Sequence, residues 1–390
     1  MAIPVTDRVA SVDRSKIRVM FDMAEESDDQ DLVRLEVGEP DFDTPEHITE
    51  AAFEAARGGA THYTSNAGLP ELRLAIADRL EDDRDVAVDP EAITVTTGGM
   101  EALHLAMLAV VAPSEEVIIP SPSWPNYAQQ ARLADARPVE VPMPEESGFD
   151  LDPKRVIEAL SADTALVVLN SPSNPTGRVF DADAVREVVD AAAHHDAYVI
   201  ADESYAALTY EDEYRGIAGL VDHPDRVLTV GTCSKEYAMT GWRLGWLEGP
   251  QTVIDHVTKI HESTTACASS VAQQAAIAAL TGPREPIEEM REAFHERRDL
   301  VVDRIDGLPG LSCPRPEGAF YAFVDVSALA GTSMDVAERL LKEYGVVVAP
   351  GDGFGDAGQG RIRISFANSL ERLETGLDRI ETMARNELGD

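Results

Sequence analysis

Lysine is scarce in this chain. Only Lys16, Lys154, Lys235, Lys259 and Lys342 occur in 390 residues, beside 28 arginines. Against those 33 basic residues stand 71 acidic ones, a formal net charge of −38. Such a surface repels a phosphate backbone, so nucleic-acid binding is disfavoured. Cysteine is scarce as well. Cys233, Cys267 and Cys313 are odd in number, far apart and not at metal-ligand spacing, which excludes a disulfide framework and fits a reduced, cytoplasmic setting. Cys233 is read as small-residue packing. No run approaches the ~20 apolar residues that span a bilayer, and Met1-Ala-Ile-Pro-Val-Thr-Asp-Arg-Val lacks the basic start and apolar stretch of a signal peptide. The acids are spread along the chain, with only short runs such as Glu81-Asp-Asp-Arg-Asp85, so a disordered acidic tail is disfavoured. Dispersed acid with little lysine predicts a surface adapted to high salt, as in a halophile.

A chain of this length accommodates two domains and a large core. After a lead-in ending at Leu35-Glu-Val-Gly-Glu-Pro-Asp-Phe-Asp-Thr-Pro45, β and α signals alternate. Strands are predicted at 92–97, 116–119, 165–170, 197–201 and 226–231, with helices between them, as at 100–112 and 181–194. This alternation argues an α/β fold with a mostly parallel, doubly wound sheet covered on both faces. Residues 251–306 read as largely helical, broken at Thr281-Gly-Pro283, and lead into a smaller C-terminal unit. That unit has strands at 319–324 and 361–365 and helices at 334–344 and 370–386. The expected division is an arm and lead-in over 1–45, a large domain over 46–285 and a small α+β domain over 286–390.

Polar residues cluster where these strands end, which is where open α/β sheets build ligand sites. Asn174-Pro-Thr-Gly177 follows one apolar run and Asp202-Glu-Ser-Tyr205 the next; Lys235 follows the third, inside Ser234-Lys-Glu-Tyr-Ala-Met-Thr-Gly-Trp-Arg243. Gly98-Gly99-Met100 joins a strand to a helix, so free backbone N–H groups face any bound anion. A lysine amine becomes a useful nucleophile when it reaches a carbonyl, as in a Schiff base with an aldehyde cofactor.

Asn174-Pro-Thr-Gly177, Asp202-Glu-Ser-Tyr205, Lys235 and Arg243, in this chain order, resemble the class I/II aminotransferases, enzymes of fold type I that use pyridoxal 5′-phosphate. The resemblance runs from about Gly38 to Arg363. It implies a large seven-stranded-type sheet and a homodimer with shared active sites. It makes Lys235 the Schiff-base lysine, Asp202 the partner of the ring nitrogen, and Tyr205 and Asn174 partners of the ring 3-oxygen. By the same resemblance Trp124 is expected to stack on the ring. The backbone of Gly99 and Met100, the Ser234 hydroxyl and the Arg243 guanidinium are expected to hold the phosphate, with Tyr63 reaching it from the neighbouring subunit. Arg363 is expected to grip the substrate α-carboxylate, with Gly38 allowing close backbone approach, and Trp124 and Asn174 to face the substrate as well. Arg361 is a near neighbour that strand periodicity cannot separate from Arg363. Met100-Glu101 departs from relatives, which often carry polar or basic residues there.

The implied activity is transfer of an amino group between an L-amino acid and a 2-oxo acid, expected to be 2-oxoglutarate, with ping-pong kinetics. A β-lyase or synthase on the same scaffold is an alternative. A non-catalytic regulator would need an appended DNA-binding segment, and the residues before Gly38 are too few and too acidic for one. A dicarboxylate preference needs a second cation. Neither Ser263–Ala272 nor the helix after Gly99 contains a lysine or arginine. Two other patterns carry no site. Gly351-Asp-Gly-Phe-Gly355 lacks the βαβ unit of a dinucleotide loop, and His194-His195 lacks ligand partners.

Overall fold

Leu166, Val167, Val168 and Leu169 alternate between two separate apolar clusters, so both sides of their strand are buried. That is why the run is continuously apolar instead of alternating with polar residues. The computed structural model describes residues 5–27, 29, 31–211 and 214–389; the first four residues of the N-terminal stretch read above lie outside them.

The strands, in chain order, are β1 (Val33–Arg34), β2 (Ile93–Thr96), β3 (Glu116–Ser121), β4 (Arg137–Pro142), β5 (Thr164–Asn170), β6 (Tyr198–Asp202), β7 (Val227–Thr232), β8 (Gly245–Glu248), β9 (Tyr321–Asp325), β10 (Val346–Val347), β11 (Ala349–Pro350) and β12 (Arg361–Ser365). Seven of them form one sheet in the order β2-β8-β7-β6-β5-β3-β4. Only β8 runs against its neighbours; the remaining pairs are parallel. The predicted mostly parallel sheet is therefore present, and β4 and β8 are strands that the sequence reading did not supply. Parallel register sets Asn170 beside Asp202 and Asp202 beside Val230, so the ends of β5, β6 and β7 open onto one edge.

The helix Ala182–His194 begins where Asp181 accepts from the Asp183 and Ala184 N–H groups, as an N-cap should. The stretch expected to be helical from 251 to 306 has two breaks, not one. Gln251–Thr264 ends near Ala266, whose φ is 69°, and Ser269 caps Ser270–Thr281 by accepting from Ala272 N–H. Glu285–Asp306 then runs for 22 residues. A second sheet, β11-β12-β9, is antiparallel. It packs with the helices Ser333–Tyr344 and Leu370–Leu388 in an apolar cluster that also takes in Val33 and Leu35. The lead-in is fixed to this unit by β1 pairing with β10 and by Ser365 N–H donating to the Leu35 carbonyl at 2.8 Å. Among the described residues no helix is long and apolar enough to cross a membrane.

Candidate active site

A cavity of about 670 Å³ lies at the ends of β5, β6 and β7, walled on its other side by the lead-in and by β12. It brings together Gly38, Gly99, Met100, Trp124, Asn174, Asp202, Tyr205, Ser234, Lys235, Arg243 and Arg363. Of the residues expected at the site, Tyr63 is the one that this chain does not place there. It is 90% exposed, on a loop held by Ser270 Oγ donating to the Ala60 carbonyl and Gln273 Nε2 donating to Thr64 Oγ1.

Lys235 follows the end of β7 and is largely withdrawn from water. Its Nζ donates to the Gly38 carbonyl at 2.5 Å and lies 6.0 Å from the Tyr205 ring centre. Burial pulls its pKa down to about 8, opposed by Glu39 and Asp202 and assisted by Arg363 and Arg243. A useful fraction of the amine is therefore neutral near pH 8.

Asp202 ends β6 and is 3% exposed. Its carboxylate accepts from Tyr127 Oη at 2.7 Å and from Ser204 Oγ at 2.6 Å. Burial pushes its pKa up, and the Ser204 and Tyr127 hydrogen bonds offset part of that push. All three donors, these two hydroxyls and the Ser204 N–H at 3.1 Å, are neutral. A buried carboxylate at a cavity wall with no salt bridge among the described residues suits a cationic ring nitrogen.

The anion end is built from backbone. Gly98 caps the helix Gly99–Val110 with φ of 83°, and a Cβ there would stand 2.7 Å from Arg243 Nη2. Only glycine lets that guanidinium come so near the helix N-terminus. Arg243 itself is in the left-handed region, with φ of 56°, and Nη1 donates to the Thr240 carbonyl at 2.7 Å. Ser234 Oγ accepts from Thr232 Oγ1 at 2.9 Å. The Met100-Glu101 departure has a local explanation. Glu101 accepts from Thr97 N–H at 2.6 Å and faces His261 Nε2 at 3.5 Å. Burial pushes its pKa up, but hydrogen bonds from His261, Thr265 and Thr97 win and hold it down to about 2. Glu101 thus braces the loop from outside the cavity, while Met100 packs toward Gln130, whose Nε2 lies 3.3 Å from Sδ.

Arg363 is 2% exposed. Nη1 donates to Asn174 Oδ1 at 3.0 Å and Nη2 to the Glu36 carbonyl at 2.6 Å, while Nε, also buried, has no partner among the described residues. Its guanidinium lies 4.3 Å from the Tyr321 ring centre. A buried, oriented guanidinium with an unused donor fits a carboxylate ligand. Arg361 faces other surroundings, pairing with Glu145 and, at 3.4 Å, with Asp325. Trp124 lies edge-on to Tyr127, ring centres 5.5 Å apart.

Sequence reasoning missed Tyr127, Ser204, Glu36 and Tyr321, which all line the cavity. It also missed the helix Lys16–Glu25, from which Ile17, Arg18 and Phe21 reach the wall. Arg18 is a cation that the search around residues 263–272 and the helix after Gly99 did not find. It stacks 4.3 Å over the Phe21 ring and pairs with Asp22 at 3.3 Å. Tyr127 was within reach, three residues after Trp124 and in the first turn of the helix Asn126–Leu133. Gly351–Phe354 is a 3₁₀ turn. His194 Nδ1 lies 2.6 Å from the Asp190 carbonyl, and no metal-ligand cluster exists among the described residues. Cys233 is buried in an apolar cluster, its thiol pushed up by that burial.

Comparison with known proteins agrees with this geometry. The family model "Aminotransferase class I and II" matches residues 30–380. An aspartate aminotransferase of Pyrococcus horikoshii is 38% identical over 98% of both chains. An aromatic-amino-acid aminotransferase of Thermococcus litoralis is 37% identical over 98% of both. The solved structure of a Thermus thermophilus aspartate aminotransferase with maleate superposes with a TM-score of 0.93 at 40% identity, covering 98% of this chain and 100% of that one.

Proposed function

The chain belongs to the class I and II aminotransferases and is a transaminase, and we propose that it works with pyridoxal 5′-phosphate held in the cavity described above. One observation carries this reading: the amine of Lys235, the unpaired carboxylate of Asp202 and the free Nε of Arg363 share a single cavity. When bound, the cofactor supplies an aldehyde that condenses with amines and a ring that withdraws electrons from the substrate Cα.

The chain's own residues supply the rest. Asp202 holds the ring nitrogen protonated by pairing with it in a region of low dielectric. The N–H groups of Gly99 and Met100, the Ser234 hydroxyl and Arg243 hold the phosphate. Tyr205 and Asn174 hydrogen-bond the ring 3-oxygen, and Trp124 covers the ring face. Arg363 takes the substrate α-carboxylate through its unused donor, oriented by Asn174 and the Glu36 carbonyl. Lys235 Nζ is the base that takes the proton from the substrate Cα and delivers it to the cofactor C4′, a task suited to an amine titrating near 8. Gly38 is close enough to hold that amine through its carbonyl.

The amino group moves from an L-amino acid to a 2-oxo acid, 2-oxoglutarate in our reading, by ping-pong kinetics. The active form is a homodimer in which Tyr63 enters the partner's site. A 90% exposed tyrosine on a braced loop supports that placement. We divide the chain into the arm and lead-in (1–45), the large domain (46–285) and the small domain (286–390). Three free cysteines support a reducing, cytoplasmic setting, and the charge of −38 supports a high-salt one.

The test is direct. Purified protein should absorb visible light as a Schiff base, and Lys235→Ala should lose both that absorbance and turnover. A panel of amino acids with 2-oxoglutarate then identifies the donor. An alanine variant as active as the native protein would end this reading.

A further inference from the structure

Tyr205 and Tyr321 are 5% and 1% exposed, and their hydroxyl oxygens lie 2.8 Å apart. Only one proton can occupy the line between two hydroxyls, so one donates and the other must send its proton elsewhere. Tyr321 is confined from a second side: a Cβ on Gly38 would stand 2.6 Å from its oxygen. On a third side its ring carries the Arg363 guanidinium at 4.3 Å, and Tyr205 and Tyr321 meet edge to face at 5.7 Å. One side chain thus touches the residue assigned to the cofactor and the residue assigned to the substrate.

We propose that Tyr321 is a positioning residue for transamination: its hydroxyl donates to the Tyr205 oxygen, which directs the Tyr205 proton toward the cavity, and its ring holds the Arg363 guanidinium flat. This rests on the roles of Tyr205 and Arg363 proposed above. Once an anionic ring oxygen accepts from Tyr205, the remaining lone pair of Tyr205 is free to accept from Tyr321. Hydrogen bonds in such a chain polarise one another, by about 10–30% per bond. Donation to the ring oxygen stabilises its negative charge and opposes protonation of the bound cofactor. Weakening that donation must therefore raise the pH at which the cofactor's absorbance changes. The charged and titratable neighbours of the pair are Arg363, Asp202, Tyr127 and Lys235, and the variants below leave all four in place.

The experiment compares Tyr321→Phe, Tyr205→Phe, the double variant and Tyr321→Leu as holoenzymes. It reads the pH midpoint of cofactor absorbance, the kcat and KM, and the affinity of cofactor-free protein for pyridoxal 5′-phosphate by tryptophan fluorescence. Tyr321→Phe should raise the midpoint in the same direction as Tyr205→Phe, by a fraction of its size, and should add nothing in the double variant. Its KM should stay near native, because the ring under Arg363 is retained. Tyr321→Leu, which removes the ring, should raise KM several-fold while cofactor affinity falls little. A native midpoint in Tyr321→Phe beside a raised one in Tyr205→Phe overturns this inference alone. Fully additive shifts in the double variant overturn it too. Native midpoints in both single variants overturn the assignment of Tyr205, and this inference with it.

Discussion

Arg361 and Arg363 stand two positions apart on β12, on one side of the strand, and face entirely different chemistry. Arg361 is spent on Glu145 and Asp325; Arg363 donates to Asn174 and the Glu36 carbonyl and keeps Nε free. The difference comes from what each meets across the fold, since Asn174 is 189 residues distant in sequence. Arg363→Lys keeps the charge but loses the planar fork. A charge-assisted hydrogen bond is worth about 1.5–3 kcal/mol, so kcat/KM should fall roughly 10- to 100-fold, mostly through KM. Arg361→Lys should lower the melting temperature and leave the KM for amino acids near native. Steady-state kinetics on the two variants checks both, and equal kinetic losses would remove the distinction.

Asp202→Asn should retain cofactor yet turn over slowly, because a neutral amide no longer favours a protonated ring nitrogen. The Ser204 hydroxyl and N–H can still donate to the amide oxygen in the Oδ1 position, and the Tyr127 hydroxyl can accept from the amide N–H in the other, so the local fold should survive. A rate loss of about 10³-fold, or roughly 4 kcal/mol of transition-state stabilisation, is expected. Stopped-flow half-reactions measure it. A loss under about tenfold would make Asp202 a structural residue.

The Lys235 amine can be titrated without cofactor. Its pKa is lowered from the ordinary 10.5 to about 8, chiefly by burial. Only the neutral amine reacts with an aldehyde, so reductive methylation of the cofactor-free protein should reach half its limiting rate near pH 8 at Lys235. Peptide mass spectrometry reads the rate at each lysine. The same shift affects stability: between about 8 and 10.5 the unfolded chain binds more protons than the folded one, so the penalty for burying Lys235 is relieved as pH rises. Half-maximal labelling near 10.5 would mean that the amine is not withdrawn from water.

How much of this was legible in the sequence depends on the reach of each signal. Strands β5, β6 and β7 announced themselves by continuous apolar runs, and the polar residues at their ends followed from parallel topology. Strand β8 reads Gly245-Trp-Leu-Glu248, without the β-branched residues that mark the equally short β2, Ile93-Thr-Val-Thr96. The break between Thr264 and Ser270 rests on Ala266 at positive φ and on a Ser269 cap, neither of which carries glycine or proline as a warning. Tyr321 lies inside the strand predicted at 319–324 and Tyr127 three residues after Trp124, but their roles depend on partners 116 and 75 residues away. Only folding places such pairs together.

The proposed shared-site dimer rests on Tyr63, which is 90% exposed among the described residues. Inactive Tyr63→Ala and Lys235→Ala proteins, mixed and allowed to exchange subunits, should form heterodimers with one intact site. Activity recovered on mixing is the expected result. Sedimentation showing a fully active monomer would refute the arrangement.

Salt tests the origin of the acidity, and two opposing effects set the sign. Molar salt screens the many arginine–carboxylate pairs at the surface, such as Arg304 with Asp378 and Arg339 with Glu387, each worth about 0–1 kcal/mol. It also screens the mutual repulsion of a net charge of −38, which folding concentrates and unfolding spreads. The pairs act within 4 Å, where even a short Debye length leaves part of the attraction, whereas the repulsion acts over tens of ångströms. At ~0.01 M ionic strength the Debye length is about 30 Å and at 1 M about 3 Å, so salt removes most of the repulsion and only part of the pairing. Stability should therefore rise with salt. The measurement is melting temperature against KCl from about 0.1 to 3 M, across which the Debye length falls from about 10 Å to under 3 Å. Cofactor absorbance is followed in parallel and should change little, because the phosphate contacts proposed above act at hydrogen-bond range, inside even a short Debye length. A flat or falling curve would mean that pairing outweighs repulsion and would leave the acidity without a high-salt explanation.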